Sequence, residues 1–273
     1  MMTTTPDKQT AAPGPDAPAP GALPRTALVT GAGRRLGRAI ALGLAHAGWD
    51  VAVHYRASEQ EAQQVVADIG ALGRRAVALH ADLADEAAVR TLLPRAIAAL
   101  GPVRCVVNSA SLFEYDSATD FSPTLLERHM RANVAAPLLL AQALHAATTA
   151  GQQAVVINLL DQKLYNLNPD FLSYTLSKAA LHTATTMLAQ QLAPTVRVVG
   201  IAPGLTLLSG EQTAAGFAHA HQQTPLGRSS TPGDIVDSVL YAATARALTG
   251  TTLLVDGGQH LMALPRDVMF LAK

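Results

Sequence analysis

From Arg25 onward, short apolar runs alternate with longer amphipathic ones, and this alternation constrains the fold more than any other feature. The short runs are TALVT (26–30), VAVHY (51–55), AVALH (76–80), CVVN (105–108), AVVINLL (154–160), VRVVGI (196–201) and TLLVD (252–256). Most are apolar throughout, the pattern of strands covered on both faces of a parallel sheet. Between them, segments such as GRAIALGLAHAG and AAVRTLLPRAIAALG carry apolar residues at helical spacing. The alternation predicts an α/β fold: one doubly wound parallel sheet with helices on both faces and right-handed crossovers. Ligands of such sheets bind beyond the carboxyl ends of the strands.

Of 273 residues, 49% are hydrophobic, enough for one large core spanning 25–273. Lysine plus arginine equals aspartate plus glutamate at 20 each, so no charge surplus points to nucleic acid or to an anionic membrane. Residues 1–24 hold six prolines and no apolar stretch, and are expected to form a disordered tail and not a signal peptide. No run of about 18 apolar residues suggests a membrane span. The only cysteine, Cys105, lies within VRCVVN, which excludes an internal disulfide and suits a reducing, cytoplasmic setting.

Directly after the first run comes TGAGRRLG, Thr30 to Gly37. Glycines between a strand and a helix let the backbone approach a pyrophosphate, and the helix N-terminus adds amide donors. Such a turn can also be a mere corner, but here it opens a βαβ series, so Gly31, Arg35, Leu36 and Gly37 are expected to hold a dinucleotide. An NAD site usually places an acid at the end of the second strand, for the ribose 2′-hydroxyl. This chain has His54, Tyr55, Arg56, Ala57 and Ser58 there. Arg56 and the Ser58 hydroxyl suit a 2′-phosphate, so NADPH is the expected cofactor; a solvated arginine is the plainer alternative. Asp82 and Leu83, in HADLAD, stand where a carboxylate could receive the adenine amino group or cap a helix.

Tyr174 and Lys178, at i and i+4, share a helix face. An ammonium near a phenol lowers the phenol's pKa and makes it a proton donor near neutral pH. Alone, the pair is commonplace. In order along the chain, however, stand TGAGRRLG, NSAS (108–111), Asn133 in RANVAAP, YTLSK, Pro203–Gly204 and VDGG (255–258). This series resembles the short-chain dehydrogenase/reductase family from Arg25 to about His260. The resemblance implies a Rossmann-type domain, a nicotinamide cofactor and a homotetramer. It places Asn108, Ser109, Ala110, Ser111, Tyr174, Lys178, Pro203 and Gly204 at the cofactor, and makes Asn133, Tyr174 and Lys178 catalytic.

Three departures sharpen it: Arg35 replaces the middle loop glycine, NSAS followed by Phe113 replaces the usual turn, and Asp161 stands where a catalytic serine is expected. All three resemble the pteridine reductase branch, including bacterial dihydromonapterin reductases. That implies pterin contacts from Arg35, Ser111 and Phe113, and from Gly204 and Leu205 in PGLTLL (203–208), with Asp161, Tyr174 and Lys178 doing the chemistry. A ketone offers only an acceptor oxygen, whereas a dihydropterin offers N–H donors that a carboxylate can accept. The expected reaction is hydride transfer from NADPH to C6 of a 7,8-dihydropterin or dihydrofolate, with N5 protonated from the Tyr174 side. Alternatives are a carbonyl reductase, or a non-catalytic NADPH-binding regulator in which Asp161 is only a cap, Phe113 core and Arg35 surface. Residues 206–232, without clear periodicity, are expected to form the substrate loop, and its His219 and His221 to be solvated and not metal ligands. The tail LPRDVMFLAK is a candidate oligomer contact.

Overall fold

A computed structural model describes residues 25–208, 213–267 and 270. The tail at 1–24 and part of the substrate loop lie outside the described residues. Seven strands form one all-parallel sheet in the order β3-β2-β1-β4-β5-β6-β7. They are β1 (Thr26–Val29), β2 (Asp50–Tyr55), β3 (Ala76–His80), β4 (Cys105–Asn108), β5 (Ala154–Leu159), β6 (Val196–Pro203) and β7 (Thr252–Val255). Every expected strand is present. The strand order reverses between β1 and β4, which opens a crevice above their carboxyl ends.

Helices cover both faces. On one side α1 (Arg35–His46), α2 (Glu59–Ala71) and α8 (Pro232–Thr244) bury Ile40, Leu44, Val65, Ile69, Ile235 and Val239 against the sheet. On the other, α3 (Glu86–Leu100), α5 (Ala136–Ala147) and α6 (Leu172–Leu192) contribute Leu92, Leu93, Leu140, Leu144 and Leu192. Strands enclosed this way must be apolar on both faces, which is why β1, β2, β4 and β5 are buried at every position. Cys105 is part of this wall; burial pushes its thiol up to about 12, removing it from thiolate chemistry.

Short irregular elements position the site. Helix α4 (Pro123–Met130) runs through a π-turn at Arg131–Ala135 into α5, and a 3₁₀ turn at Gln162–Tyr165 follows β5. The loop expected at 206–232 contains a helix, α7 (Ala214–Gln222), none of whose residues is buried. With no core-facing stripe, its sequence carries no apolar period to read. His221 is only partly solvated: its Nδ1 accepts from the Ser229 N–H at 3.2 Å and its Nε2 lies 3.1 Å from Ser230 O.

Candidate active site

The nucleotide end of the crevice is made of backbone. Gly31 has φ +64°, and a Cβ there would stand 3.0 Å from Ala110 Cα; at Gly37 it would stand 2.2 Å from Gly31 O. A Cβ at either position would force its neighbours to shift, so the corner stays bare backbone leading into the first turn of α1, whose amides lack helical acceptors, and the cradle fits a dinucleotide. Thr30 locks it. Its Oγ1 accepts from the N–H groups of Ser109 and Ala110, both at 3.0 Å, joining the glycine loop to the NSAS turn.

Alongside lies a cavity of 270 Å³, lined by Gly31, Arg34, residues 54–58, Asp82, Leu83 and Ser111 among others. Arg56 meets no partner among the described residues, while Arg34 pairs with Glu61. Ser58 lies under the loop, its Oγ 2.8 Å from where a Gly33 Cβ would be.

Three residues expected to touch the cofactor also hold the frame. His54 Nδ1 accepts from the Gly31 N–H at 3.0 Å and its Nε2 meets Ala81 O at 3.1 Å, so both ring nitrogens are used inside the chain. Burial pushes this imidazole down to about 4, so it stays neutral. Asn108 donates to Asn158 Oδ1 at 2.8 Å, tying β4 to β5. Asp82 Oδ1 accepts from the Ala84 N–H at 2.8 Å; the cap of α3 is Asp85.

The chemical end is built on side chains. Tyr174, on the first turn of α6, donates its phenol to Asp161 Oδ2 at 2.7 Å. Asp161 Oδ1 accepts from the Lys163 N–H at 2.9 Å, which caps the 3₁₀ turn. Cap and reactive carboxylate are therefore the same group. Lys178 Nζ donates to Leu159 O at 2.7 Å and lies 5.7 Å from the Tyr174 ring centroid.

The lysine does not lower the phenol's pKa. Burial, and next the Asp161 carboxylate, hold Tyr174 well above its usual value. Burial also raises Asp161 and pushes Lys178 down to about 8. The phenol rests protonated.

Asn133 reaches neither Tyr174 nor Lys178. Its amide brackets Leu112, accepting from the N–H at 2.7 Å and donating to the carbonyl at 2.9 Å, and donates to Ser177 Oγ at 3.0 Å. The π-turn aims it, and it holds the 110–113 segment against α6. Ser111 Oγ donates to Leu112 O at 3.2 Å.

Phe113, 42% exposed, meets Tyr174 edge-on at 4.6 Å and stacks on Phe171 at 4.2 Å. With Arg35, Asp161, Gly204 and Leu205 it lines a 240 Å³ cavity. Arg35 holds φ +51°, the conformation a glycine favours, and its Nη2 spans the cavity to Leu208 O at 2.8 Å.

Other wall residues were not picked out in the sequence: Gln162, Gln259 and Asp267. Gln259 Oε1 accepts from the Leu205 N–H at 2.9 Å, fixing the PGL turn. Asp267 Oδ2 pairs with buried Lys163 at 3.0 Å, and its N–H reaches Asp170, which Arg266 also grips at 2.8 Å. Phe270 stacks on Phe171 at 6.0 Å. The described part of the tail thus packs on its own chain, beside the site.

Sheet, glycine cradle and the Tyr–Asp–Lys cluster define an oxidoreductase of the Rossmann class. The family described as short chain dehydrogenase matches residues 25–215, and the chain belongs to it. An uncharacterized oxidoreductase of Methylorubrum extorquens is 34% identical over 86% of this chain and 97% of its own. An L-rhamnose 1-dehydrogenase (NAD(P)(+)) of Sphingomonas sp. is 30% identical over 87% and 96%. Among solved structures, FolM alternative dihydrofolate reductase 1 from Brucella canis, complexed with NADP, superposes with a TM-score of 0.82 at 39% identity, over 87% of this chain and 95% of that one.

Proposed function

We propose that the protein is an NADPH-dependent reductase of dihydropterins, dihydrofolate included. The observation that carries this reading is the 2.7 Å bond from the Tyr174 phenol to a half-buried carboxylate, Asp161, on the wall of the cavity that Phe113 and Arg35 share. The likeness to a FolM dihydrofolate reductase solved with NADP supports it. When bound, NADPH supplies the hydride.

The chain's own residues divide the remaining work. The bare backbone at Gly31 and Gly37 and the first turn of α1 cradle the dinucleotide, and Arg56 and Ser58 favour a 2′-phosphate. Phe113 offers a flat face to the substrate ring. Asp161 accepts from the amino and ring N–H groups of a pterin, which a ketone or sugar lacks. Tyr174 holds its proton until a ring nitrogen takes it, and a proton from water, relayed by Asp161 already bonded to the phenol, restores it. Lys178 Nζ, anchored on Leu159 O, is the cation placed to hold the nicotinamide ribose.

NADPH oxidation followed by absorbance, with 7,8-dihydrobiopterin, 7,8-dihydromonapterin and dihydrofolate as substrates, tests this reading. Turnover that collapses in Asp161→Ser while NADPH still binds is expected. Turnover of ketones or sugars but of no pterin by the wild type would overturn it. A cytoplasmic homotetramer is the assembly we propose, to be read from the mass in light scattering.

A further inference from the structure

At the other end of the sheet, beneath the amino-terminal ends of the strands, lies a cavity of 520 Å³. Four arginines line it: Arg25 just before β1, Arg104 just before β4, Arg197 near the start of β6, and Arg246 after α8. No carboxylate lines it.

Several surface arginines elsewhere are matched by acids. Arg38, Arg90, Arg128 and Arg228 each meet a carboxylate within 3.0 Å. Around this cavity every arginine partner is neutral. Arg197, only 6% exposed, donates to Gln153 Oε1 and to the carbonyls of Ala242, Ala243 and Leu248. Arg104 donates to Gln152 Oε1. The guanidinium groups of Arg25 and Arg246 are exposed and have no partner among the described residues. Asp50, next to Trp49, is already held by Arg74 at 2.7 Å and Arg75 at 2.8 Å.

The wall also carries two buried N–H groups without an acceptor, Trp49 Nε1 and Arg104 Nε. Buried donors are nearly always satisfied in folded proteins. Converging like charges without counter-charge are unfavourable, and a guanidinium fork is the side-chain group best matched to a carboxylate or phosphate.

We propose that this cavity binds a multivalent oxyanion, a small phosphorylated or polycarboxylate molecule, at a site separate from the catalytic crevice. Its ligand is recognised by charge and by bidentate guanidinium contacts, with Arg25 and Arg246 closing on it from the rim and Arg104 from the wall. The site stands apart from the reductase reading and needs no catalytic residue.

The chain's single tryptophan, Trp49, sits in the wall and reports on occupancy. Full-length protein, first saturated with NADP+ to fill the crevice, is titrated with pyrophosphate and separately with citrate at constant ionic strength, and tryptophan emission is followed. A saturable change with either probe is expected, weakened at least tenfold in the double variant Arg25→Gln/Arg246→Gln. The variant's NADP+ affinity and melting temperature should match the wild type, since both side chains are exposed. The tighter probe tells phosphate from carboxylate chemistry. No saturable change, a change that survives in the double variant, or one that chloride reproduces at equal ionic strength, an adventitious ion only, would each overturn the proposal.

Discussion

The two ends of the crevice do comparable work with different materials. The nucleotide end relies on positions where a Cβ would force a shift, Gly31 and Gly37, and on a hydroxyl and an imidazole, Thr30 and His54, that hold backbone amides. The chemical end relies on side chains drawn from distant stretches: Asp161 with Tyr174, Lys163 with Asp267, Arg266 with Asp170. Backbone geometry tolerates almost nothing but binds any dinucleotide alike. A cluster of side chains can be retuned one residue at a time, so substrate choice belongs at that end.

If so, variants at the chemical end should change turnover and leave cofactor affinity alone. Tyr174→Phe should show the largest effect. It removes the proton donor and keeps the ring on Phe113, so kcat should fall roughly 10²–10⁴-fold, the usual contribution of a positioned acid. NADPH affinity, read by quenching of protein fluorescence, should stay within about twofold. A large loss of NADPH affinity would break the division.

Gly37→Ala is the mirror test. Its new methyl would sit 2.2 Å from Gly31 O, which is backbone and cannot swing aside. The corner must open, at a stability cost of about 1–3 kcal/mol, and NADPH affinity should fall first. A variant that binds NADPH normally would show that the cradle is looser than its geometry.

The same contrast explains what was legible in the sequence. All seven strands and the glycine corner are local patterns; the order of the strands in the sheet is not, and comes from the structure. The Asp161–Tyr174 pairing was legible only through the family resemblance, since thirteen residues and a change of element separate the two. Asp116 capping α6 through the Ser173 N–H at 2.9 Å, and Phe171 entering that helix at φ +54°, leave no sequence signal. Nor do the ion pairs that join 163 and 170 to 266 and 267. The pKa of Tyr174 was expected in the wrong direction because proximity of charges can be guessed from spacing, whereas desolvation depends on everything packed around the group.

Lys178 brings that desolvation into stability. Its pKa falls from the usual 10.5 to about 8. Below pH 8 the lysine is charged both folded and unfolded, and the full burial penalty applies, roughly 3 kcal/mol at 1.36 kcal/mol per unit. Between pH 8 and 10.5 the folded state holds fewer protons than the unfolded one, so wild-type stability rises with pH. Lys178→Met removes the penalty but forfeits the bond to Leu159 O, worth about 1 kcal/mol. At pH 7 it should melt a few degrees higher than wild type, with the gap closing as pH approaches 10.5, while turnover is largely lost. Melting curves at pH 7 and pH 10 test this; an unchanged gap would mean the ammonium is better solvated than its burial indicates.

The smallest effect, at Phe113, sharpens the comparison most. The ring is stacked on Phe171 on one side and edge-on to Tyr174 on another, yet remains 42% exposed toward the substrate cavity. Aromatic contacts of this kind are worth about 0.5–1.5 kcal/mol beyond the area they bury. Phe113→Leu keeps an apolar wall and loses the flat face. KM for a dihydropterin should therefore rise by up to about tenfold, with kcat falling less and NADPH affinity unmoved. The opposite split, kcat lowered and KM unchanged, would mean that Phe113 serves only to hold the Tyr174 ring, and that recognition of the substrate rests on Asp161 and Arg35.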